Sequence, residues 1–574
     1  MKRNLSEMTS RQYDLLVIGG GIFGACCAWE AALHGLSVAL VEKGDFAQAT
    51  SSNHFKMIHG GIRYLQHGDL PRVRESSRER TALLRIAPHL AHPLPLLIPT
   101  YGHGRKGKEL LWAGFRLYDL LTCDRNRGIP DPSRRIPGGD FLSRRAVLDL
   151  FPELERSNLT GGAVFHDGQI YNPPRLALAF LLSAVRRGTN IANYFEAEHF
   201  ITEGDRVIGI EGRDLLNGTR ATIRSRMVLN AAGPWAPNLL TKSLKIRLTP
   251  ELTFSRDVAL VVRRQMRSPV ALACPTRTRD ADALLDRGGR HLLFVPWRNH
   301  TLVGVWHGVH PGAPDSFAVS KSEVAGFINE ANTAYPGLNL STDDVSIINA
   351  GLILFGHKDQ DPNDHSFGKR SILIDHRQTH RIQGLITLVG VRATTARGLA
   401  EKAVSMVLAR LGKKRSPHSS ESVRLAGGEI DNFEDYVKQA QSERPDSLGP
   451  KVIRTLIHNY GTEYKRVLAY LNPEEDPVIR GTTTLKAEVV HAVQEEMAVR
   501  LSDVIFRRTD LATAGDPGDQ AVMACAAITA RELGWDEREM QEQLGEVASF
   551  LSQRGRSRDF GASSRLPTDL ARVS

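Results

Sequence analysis

Cysteine is scarce in this chain and shows no pairing pattern. Among 574 residues there are five, Cys26, Cys27, Cys123, Cys274 and Cys525, an odd number without C-x-x-C spacing. That excludes a disulfide framework and a cysteine-ligated zinc site, and it suits a reducing compartment. Long apolar runs are missing too. No stretch of 18 apolar residues occurs, so no membrane-spanning helix is expected. The first residues, Met1 to Ser6, lack the apolar core of a signal peptide. Internal repeats are absent. The basic excess, a net charge of +10, is scattered and comes without a nucleic-acid-binding motif, so nucleic acid is not an expected partner.

Hydrophobic content of 41% and charged content of 24% are those of an ordinary globular protein. At this length two or three domains are expected.

The strongest positive signal runs from Tyr13 to Lys43. Tyr13 to Ile18 is a short apolar run, the right length for a buried parallel strand. It leads into Gly19-Gly20-Gly21-Ile22-Phe23-Gly24, a G-x-G-x-x-G loop. An Ala-rich helical pattern follows from Ala25 to about His34, and Ser37 to Val41 reads as a second strand with Glu42 at its end. Gly19 permits the tight turn, Gly21 lets the backbone approach a pyrophosphate, and Gly24 lets helix and strand pack closely. Glu42 suits hydrogen bonds to both hydroxyls of an adenosine ribose. The loop alone is weak, but strand, loop, helix, strand and acid in this order predict a dinucleotide site.

Thr50 to Leu65 is small, polar and glycine-punctuated, a ligand-facing loop leading into a helix. A charged helix is expected over Leu70 to Ile86, and Pro88 to Pro99 is proline-broken and apolar. Asp167 onward reads as a loop followed by a helix over Arg175 to Arg187. Val207 to Ile210 and Ala221 to Ser225 read as strands. Met227 to Ala236 is a separate buried strand ending in small residues, where backbone can approach a cofactor. Ile246 to Leu373 alternates strand-like runs with loops, as a sheet covering a substrate. Leu385 to Gly390 is another buried strand, and the turn after it aims a helix, Ala396 to Leu411, at a ligand. Beyond a polar linker over Leu411 to Ser420 the pattern turns helical near Glu434 to Ala440, Lys451 to His458, Lys486 to Val499 and Glu537 to Ser552. The tail from about Gly555 is basic and Ser-rich. Arg105 to Leu121 is basic, aromatic and amphipathic. Both an interfacial membrane helix and a helix with one solvated face fit it.

These motifs together resemble the FAD-dependent glycerol-3-phosphate dehydrogenase family. The likeness rests on Asp14 to Gly21, Ala49 to Ser52, Ile58-His59-Gly60-Gly61-Ile62-Arg63-Tyr64-Leu65, Ala87 to Leu90, Asp167 to Gln169, Asn230 to Trp235 and Arg507 to Thr509. The His-Gly-Gly-x-Arg-Tyr-Leu block is far more specific than the glycine loop. The resemblance implies an α/β FAD-binding domain, Rossmann-like and of the glutathione-reductase type, with an inserted β-rich substrate domain and a C-terminal α-helical domain. The expected division is 1–90, 155–240 and 375–412 for the FAD domain, 91–154 and 241–374 for the substrate and membrane-facing domain, and 421–574 for the helical domain. Implied FAD contacts are Gly19, Gly21, Gly24, Glu42, Lys43, Thr50, Ser51, Ser52, His59, Gly60, Gly61, Ala232, Gly233, Gly390, Arg392, Thr394 and Thr395. The implied reaction is oxidation of a secondary alcohol on a small anionic polyol phosphate, with electrons passing to flavin and then to quinone or oxygen. An anionic membrane surface and a second copy of the chain are further expected partners. The expected location is the cytoplasm, peripherally on the inner face of the cytoplasmic membrane.

The substrate end departs from the family pattern. Ser255-Arg256-Asp257 stands where Gly-Ser-His is usual, Ile353 where an arginine is usual, and Val305-Trp306-His307 where Thr-Thr-Asp is usual. Gly390 to Arg397 rewrites a Gly-Gly-Lys turn, and Phe55 replaces a small serine. Losing an arginine at Ile353 removes a group able to hold phosphate bidentately. Alcohol oxidation needs a base for the hydroxyl proton and positive charge for the developing alkoxide. His307 is the candidate base and Asp257 the runner-up. Arg63 is the anion clamp, and Arg392 stabilises reduced flavin or binds substrate. Three readings stay open: a polyol-phosphate dehydrogenase, a relative recruited to another hydroxylated or amino substrate, and a flavin-binding protein without turnover.

Overall fold

The computed structural model describes residues 1–103, 108–249, 251–279, 289–310, 312–357 and 370–554. The tail expected from Gly555, and Arg105 to Gly107 of the amphipathic stretch, lie outside them.

Two sheets organise the first three-quarters of the chain. In the first, the strand order is Ile372–Asp375, Leu385–Val389, Arg220–Asn230, Gln12–Ile18, Val38–Val41 and Asn190–Ala192. The four pairings from Leu385–Val389 to Asn190–Ala192 are parallel. Gln12–Ile18, Val38–Val41 and Leu385–Val389 are apolar almost without alternation because both faces are covered. Helices Ile22–Leu33, Pro173–Val185 and Ala396–Leu411 contribute to one core with Leu15, Val17, Leu40 and Leu229. A second core on Leu16, Ala39 and Val228 includes Phe195, Phe200 and Ile210 from a hairpin of Phe195–Glu203 and Arg206–Asp214. Ala221–Ser225 and Met227–Asn230, read as two segments, form one strand. Its first half pairs with the hairpin and its second half with Gln12–Ile18. Phe195–Glu203 carries only a ragged alternation and escaped the sequence reading.

The second sheet has the order Val345–His357, Leu252–Val262, His300–His310, Gly289–Trp297, Ala271–Arg279, Ala91–Tyr101, Leu159–Ile170 and Met57–Ile58. Asp167–Gln169, expected in a loop, is inside the Leu159–Ile170 strand. Leu159–Ile170 and Met57–Ile58 therefore join the second sheet and Ile372–Asp375 the first, unlike the division expected from sequence. The proline-rich segment is a full strand, Ala91–Tyr101. Pro93, Pro95 and Pro99 share one parity, so their missing N–H groups point to one side of the strand. The neighbour there, Ala271–Arg279, reaches only Leu96 and Leu97, so no ladder bond is lost. A helix, Lys321–Ala334, interrupts the expected run of strands and packs on this sheet through Val324, Phe327, Ile328 and Ala331.

Past the cap at Gly412, helices Phe433–Ser442, Pro450–Tyr460, Lys486–Glu496, Asp519–Leu533 and Glu537–Arg554 enclose two apolar cores. Asp519–Leu533 was not anticipated. The other four fall where the amphipathic pattern placed them.

Candidate active site

A cavity of about 1250 Å³ opens at the carboxyl ends of the first-sheet strands and extends beneath the second sheet. Ile18, Val41, Ala231 and Gly390 mark the strand ends in its wall, the place where open α/β sheets bind ligands.

The glycine loop forms its floor. Gly19 has φ +105°, and a Cβ there would meet the Ala231 carbonyl at 2.6 Å. A Cβ on Gly24 would lie 1.8 Å from the Gly19 carbonyl oxygen, so only glycine lets the helix sit this close. The Ile22–Leu33 helix is preceded by Gly21, a cap residue without a side chain, which lines the cavity. The exception to bare donors is Ile22, whose N–H donates to Ser51 Oγ at 2.9 Å. Free amide donors at a helix N-terminus suit a pyrophosphate. Glu42 accepts from the Gly20 and Gly44 N–H groups at 2.6 and 2.9 Å, one on each carboxylate oxygen. Burial raises its carboxyl pKa, against the pull of those two bonds. Each oxygen keeps a second lone pair for a ribose hydroxyl. Lys43 sits at the rim, its ammonium 4.1 Å from the Trp235 ring centroid and 3.3 Å from Asp315.

At the other end, Thr50 Oγ1 donates to the Leu352 carbonyl, tying the loop to the second sheet. Gly61 has φ +85° and opens the turn that carries Arg63 into the wall. His59 N–H donates to Thr394 Oγ1 at 3.1 Å, which joins two loops of the cavity wall. Gly60 N–H donates to Asp167 at 2.7 Å, and Asp167 also accepts from Arg80 at 3.2 Å. Tyr118 Oη donates to the Gly60 carbonyl. Burial pushes the Asp167 carboxyl up, but His59 and Arg80 outweigh it and hold the group below the usual range. Arg80 and Tyr118 gave no sequence signal. A Cβ on Gly60 would lie 2.1 Å from the Arg80 guanidinium, and this is the reason for the first glycine of the block.

Arg392 lines the cavity with its guanidinium 4.8 Å from the Tyr64 ring centroid, while Arg72 lies 5.4 Å from that centroid. Arg392 also donates to Ser76 Oγ. Asp257 and His307 are direct partners in the antiparallel ladder of the second sheet and are hydrogen-bonded through His307 Nδ1. The imidazole is 9% exposed and the carboxylate 22%. Ile353 pairs with Ser255 on the next strand and faces the same cavity, as do Phe55 and Val305. His54, passed over in the sequence, also lines it; burial lowers its pKa to about 3, so it is neutral.

Of the residues expected from sequence, Gly19, Gly21, Glu42, Lys43, Thr50, Ser51, His59, Gly61, Arg63, Ala232, Gly233, Asp257, His307, Gly390, Arg392 and Thr394 line this one cavity. Gly24, Ser52, Gly60 and Thr395 stand behind its wall. Ser52 donates to the Ala47 carbonyl and Thr395 to that of Arg392, so both brace loops.

A dinucleotide cradle at the strand ends with a second sheet roofing its far end defines an FAD-dependent oxidoreductase. The family described as FAD dependent oxidoreductase matches residues 14–390. The C-terminal domain of alpha-glycerophosphate oxidase matches residues 418–540. A glycerol-3-phosphate dehydrogenase of Synechocystis sp. is 31% identical over 558 residues, 96% of this chain and 98% of that one. One from Mycobacterium leprae is 30% identical, over 93% of this chain and 87% of that one. The crystal structure of the glycerol-3-phosphate dehydrogenase from Bacillus halodurans complexed with FAD superposes with a TM-score of 0.74 at 26% identity, covering 96% of both chains. The chain belongs to the family of FAD-dependent glycerol-3-phosphate dehydrogenases, and its cofactor is FAD.

Proposed function

We propose that this enzyme oxidises the secondary alcohol of a small anionic polyol, with sn-glycerol 3-phosphate as the first substrate to test. The observation that carries this reading is the Asp257–His307 hydrogen bond in the same cavity wall as Arg63 and Arg392. The glycine loop, Glu42 and the His59–Thr394 junction would hold FAD, which would supply the hydride acceptor. Asp257 holds the imidazole through Nδ1, which favours the tautomer with its basic lone pair on Nε2. His307 then takes the hydroxyl proton as hydride leaves, and the cations stabilise the alkoxide.

A second reading draws on a specific observation. Ile353, Phe55 and Val305 make the wall beside Asp257 apolar, which suits a hydroxylated or amino substrate without phosphate. Anaerobic stopped-flow separates the two. Rapid flavin bleaching by sn-glycerol 3-phosphate supports the first reading. No bleaching at saturation, with reduction by a dephosphorylated polyol or an amine, replaces it with the second.

Two features bear on partners. The Lys108–Leu121 helix exposes Trp112, Leu117 and Leu120, at 53%, 44% and 72%. The cavity continues beneath this helix along Leu96, Ile98, Leu111, Phe115 and Phe165. Both support peripheral attachment to an anionic membrane and a quinone acceptor arriving along the apolar channel. Among the described residues no helix is long and apolar enough to cross a membrane.

A further inference from the structure

Asp45 is fully buried three residues beyond Glu42, at a place where an ionised carboxylate is costly unless paired. Its partners come from far along the chain. Arg508 donates to both carboxylate oxygens at 2.7 Å, a bidentate pair, and Arg507 donates through Nε. Asn193 adds a fourth bond at 3.1 Å. Arg507 also bonds Asp503, which accepts from Tyr194 Oη at 2.6 Å. Both arginines belong to the π-helical turn Val504–Arg508 of the C-terminal helical domain.

A second contact reaches the same loop. Arg554, the last residue of the Glu537–Arg554 helix, donates to Asn53 Oδ1 at 2.7 Å. Asn53 is 4% exposed and donates in turn to the Gln48 and Ala49 carbonyls, closing the turn before it. The C-terminal domain therefore grips both ends of residues 45–53.

That segment is the outer wall of the dinucleotide cradle. Phe46 is fully buried against Gly20: a Cβ on Gly20 would lie 2.7 Å from its ring. Ala47 N–H donates to the Gly20 carbonyl at 3.1 Å, and Ser51 Oγ accepts from Ile22 N–H. Other contacts, such as Arg175 with Glu496 and Arg298 with Asp510, dock the helical domain elsewhere. Docking alone does not require two further contacts on this one loop.

We propose that the C-terminal helical domain is a clasp for FAD: Arg507, Arg508 and Arg554 are positioning residues that hold the 45–53 loop against the glycine turn, so cofactor retention depends on a domain whose described residues contribute no wall to the cavity. Linkage makes the effect reciprocal, so bound FAD tightens the docking of the helical domain.

The test is FAD release from the full-length holoprotein, followed by recovery of free-flavin fluorescence on dilution, with the melting temperature of each apoprotein measured alongside. Arg508→Gln and Arg554→Gln are each expected to raise the FAD dissociation rate by about tenfold or more. The apoprotein Tm of Arg554→Gln is expected to fall by only a few degrees, because a single hydrogen bond worth about 1–3 kcal/mol is lost. Arg531→Ala, which removes an exposed ion pair with Glu532 on the same domain, serves as control and leaves release unchanged. Should Arg508→Gln fail to fold, Arg507→Lys and Arg554→Gln decide the matter. Native release rates in those two variants overturn the clasp. So does a release rate in Arg554→Gln that rises only in proportion to a fall in apoprotein Tm.

Discussion

Replacing Arg397 by methionine is expected to destabilise the protein strongly, and more at alkaline than at acid pH. Arg397 follows Thr394 and Thr395 at the start of the Ala396–Leu411 helix, beside the cavity wall. Its guanidinium donates to both oxygens of Glu79, at 2.8 and 2.6 Å, and both side chains are at most 2% exposed. Burial already raises the Glu79 pKa, and Arg397 is the main force opposing that rise. In Arg397→Met the carboxylate stays buried without its cation, a change that costs about 3–5 kcal/mol. At about 2–4 °C per kcal/mol for domains of 150–250 residues, that is a fall in Tm on the order of 10 °C. The sign of the pH dependence follows from protonation. In the variant the folded Glu79 keeps a proton that the unfolded chain releases above the ordinary value of 4.5. Stability is then lost as pH rises, by about 1.4 kcal/mol for each pH unit between the ordinary and the raised pKa. Calorimetry at pH 5 and pH 8 should show the larger deficit at pH 8. Adding Glu79→Leu removes the orphaned charge and should bring stability back to within about 2 kcal/mol of the native protein. A Tm loss of a degree or two, an equal loss at both pH values, or no recovery in the double variant would refute the reasoning.

Three further outcomes are expected. Gly24→Ala forces a methyl group into the Gly19 carbonyl oxygen; either the helix shifts, costing about 1–3 kcal/mol, or the cradle opens, and calorimetric titration should show FAD binding weakened in both cases. His307→Ala should slow flavin reduction by the true substrate about 10²–10⁴-fold in stopped-flow, with FAD affinity unchanged, and Asp257→Asn should fall in the same direction through loss of the imidazole's orientation; native rates in both variants would remove the pair from the chemistry. The triple change Trp112→Ser, Leu117→Ser and Leu120→Ser should abolish co-flotation with anionic phospholipid vesicles at unchanged Tm, and undiminished flotation would assign membrane attachment to another surface.

The cradle was legible in the sequence because its parts are local. Strand, glycine turn, helix and Glu42 lie within thirty residues, and each depends on backbone geometry that a residue type announces: Gly19 for its positive φ, Gly24 for close packing. The amphipathic helices of the C-terminal domain were legible for the same reason, since burial of one face writes a 3.6-residue period into the chain. The Ala91–Tyr101 strand was hidden because proline normally argues against a strand. Pro93, Pro95 and Pro99 are acceptable because the neighbour on that side, Ala271–Arg279, pairs only at Leu96 and Leu97.

What the sequence by itself determined was the cofactor class, the succession of an α/β half and a helical end, and the short roster of polar residues able to do chemistry. Tertiary structure alone decided which of those residues meet. Asp257 and His307 are fifty residues apart and become partners through antiparallel register, which no local pattern encodes. Asp167 reaches Gly60, and Arg508 reaches Asp45 across 463 positions, because buried charges must be paired wherever the fold delivers a partner. A residue type announces what a side chain can do. The company it keeps is settled by sheet order and domain docking, whose stabilising contacts lie between segments remote in the chain.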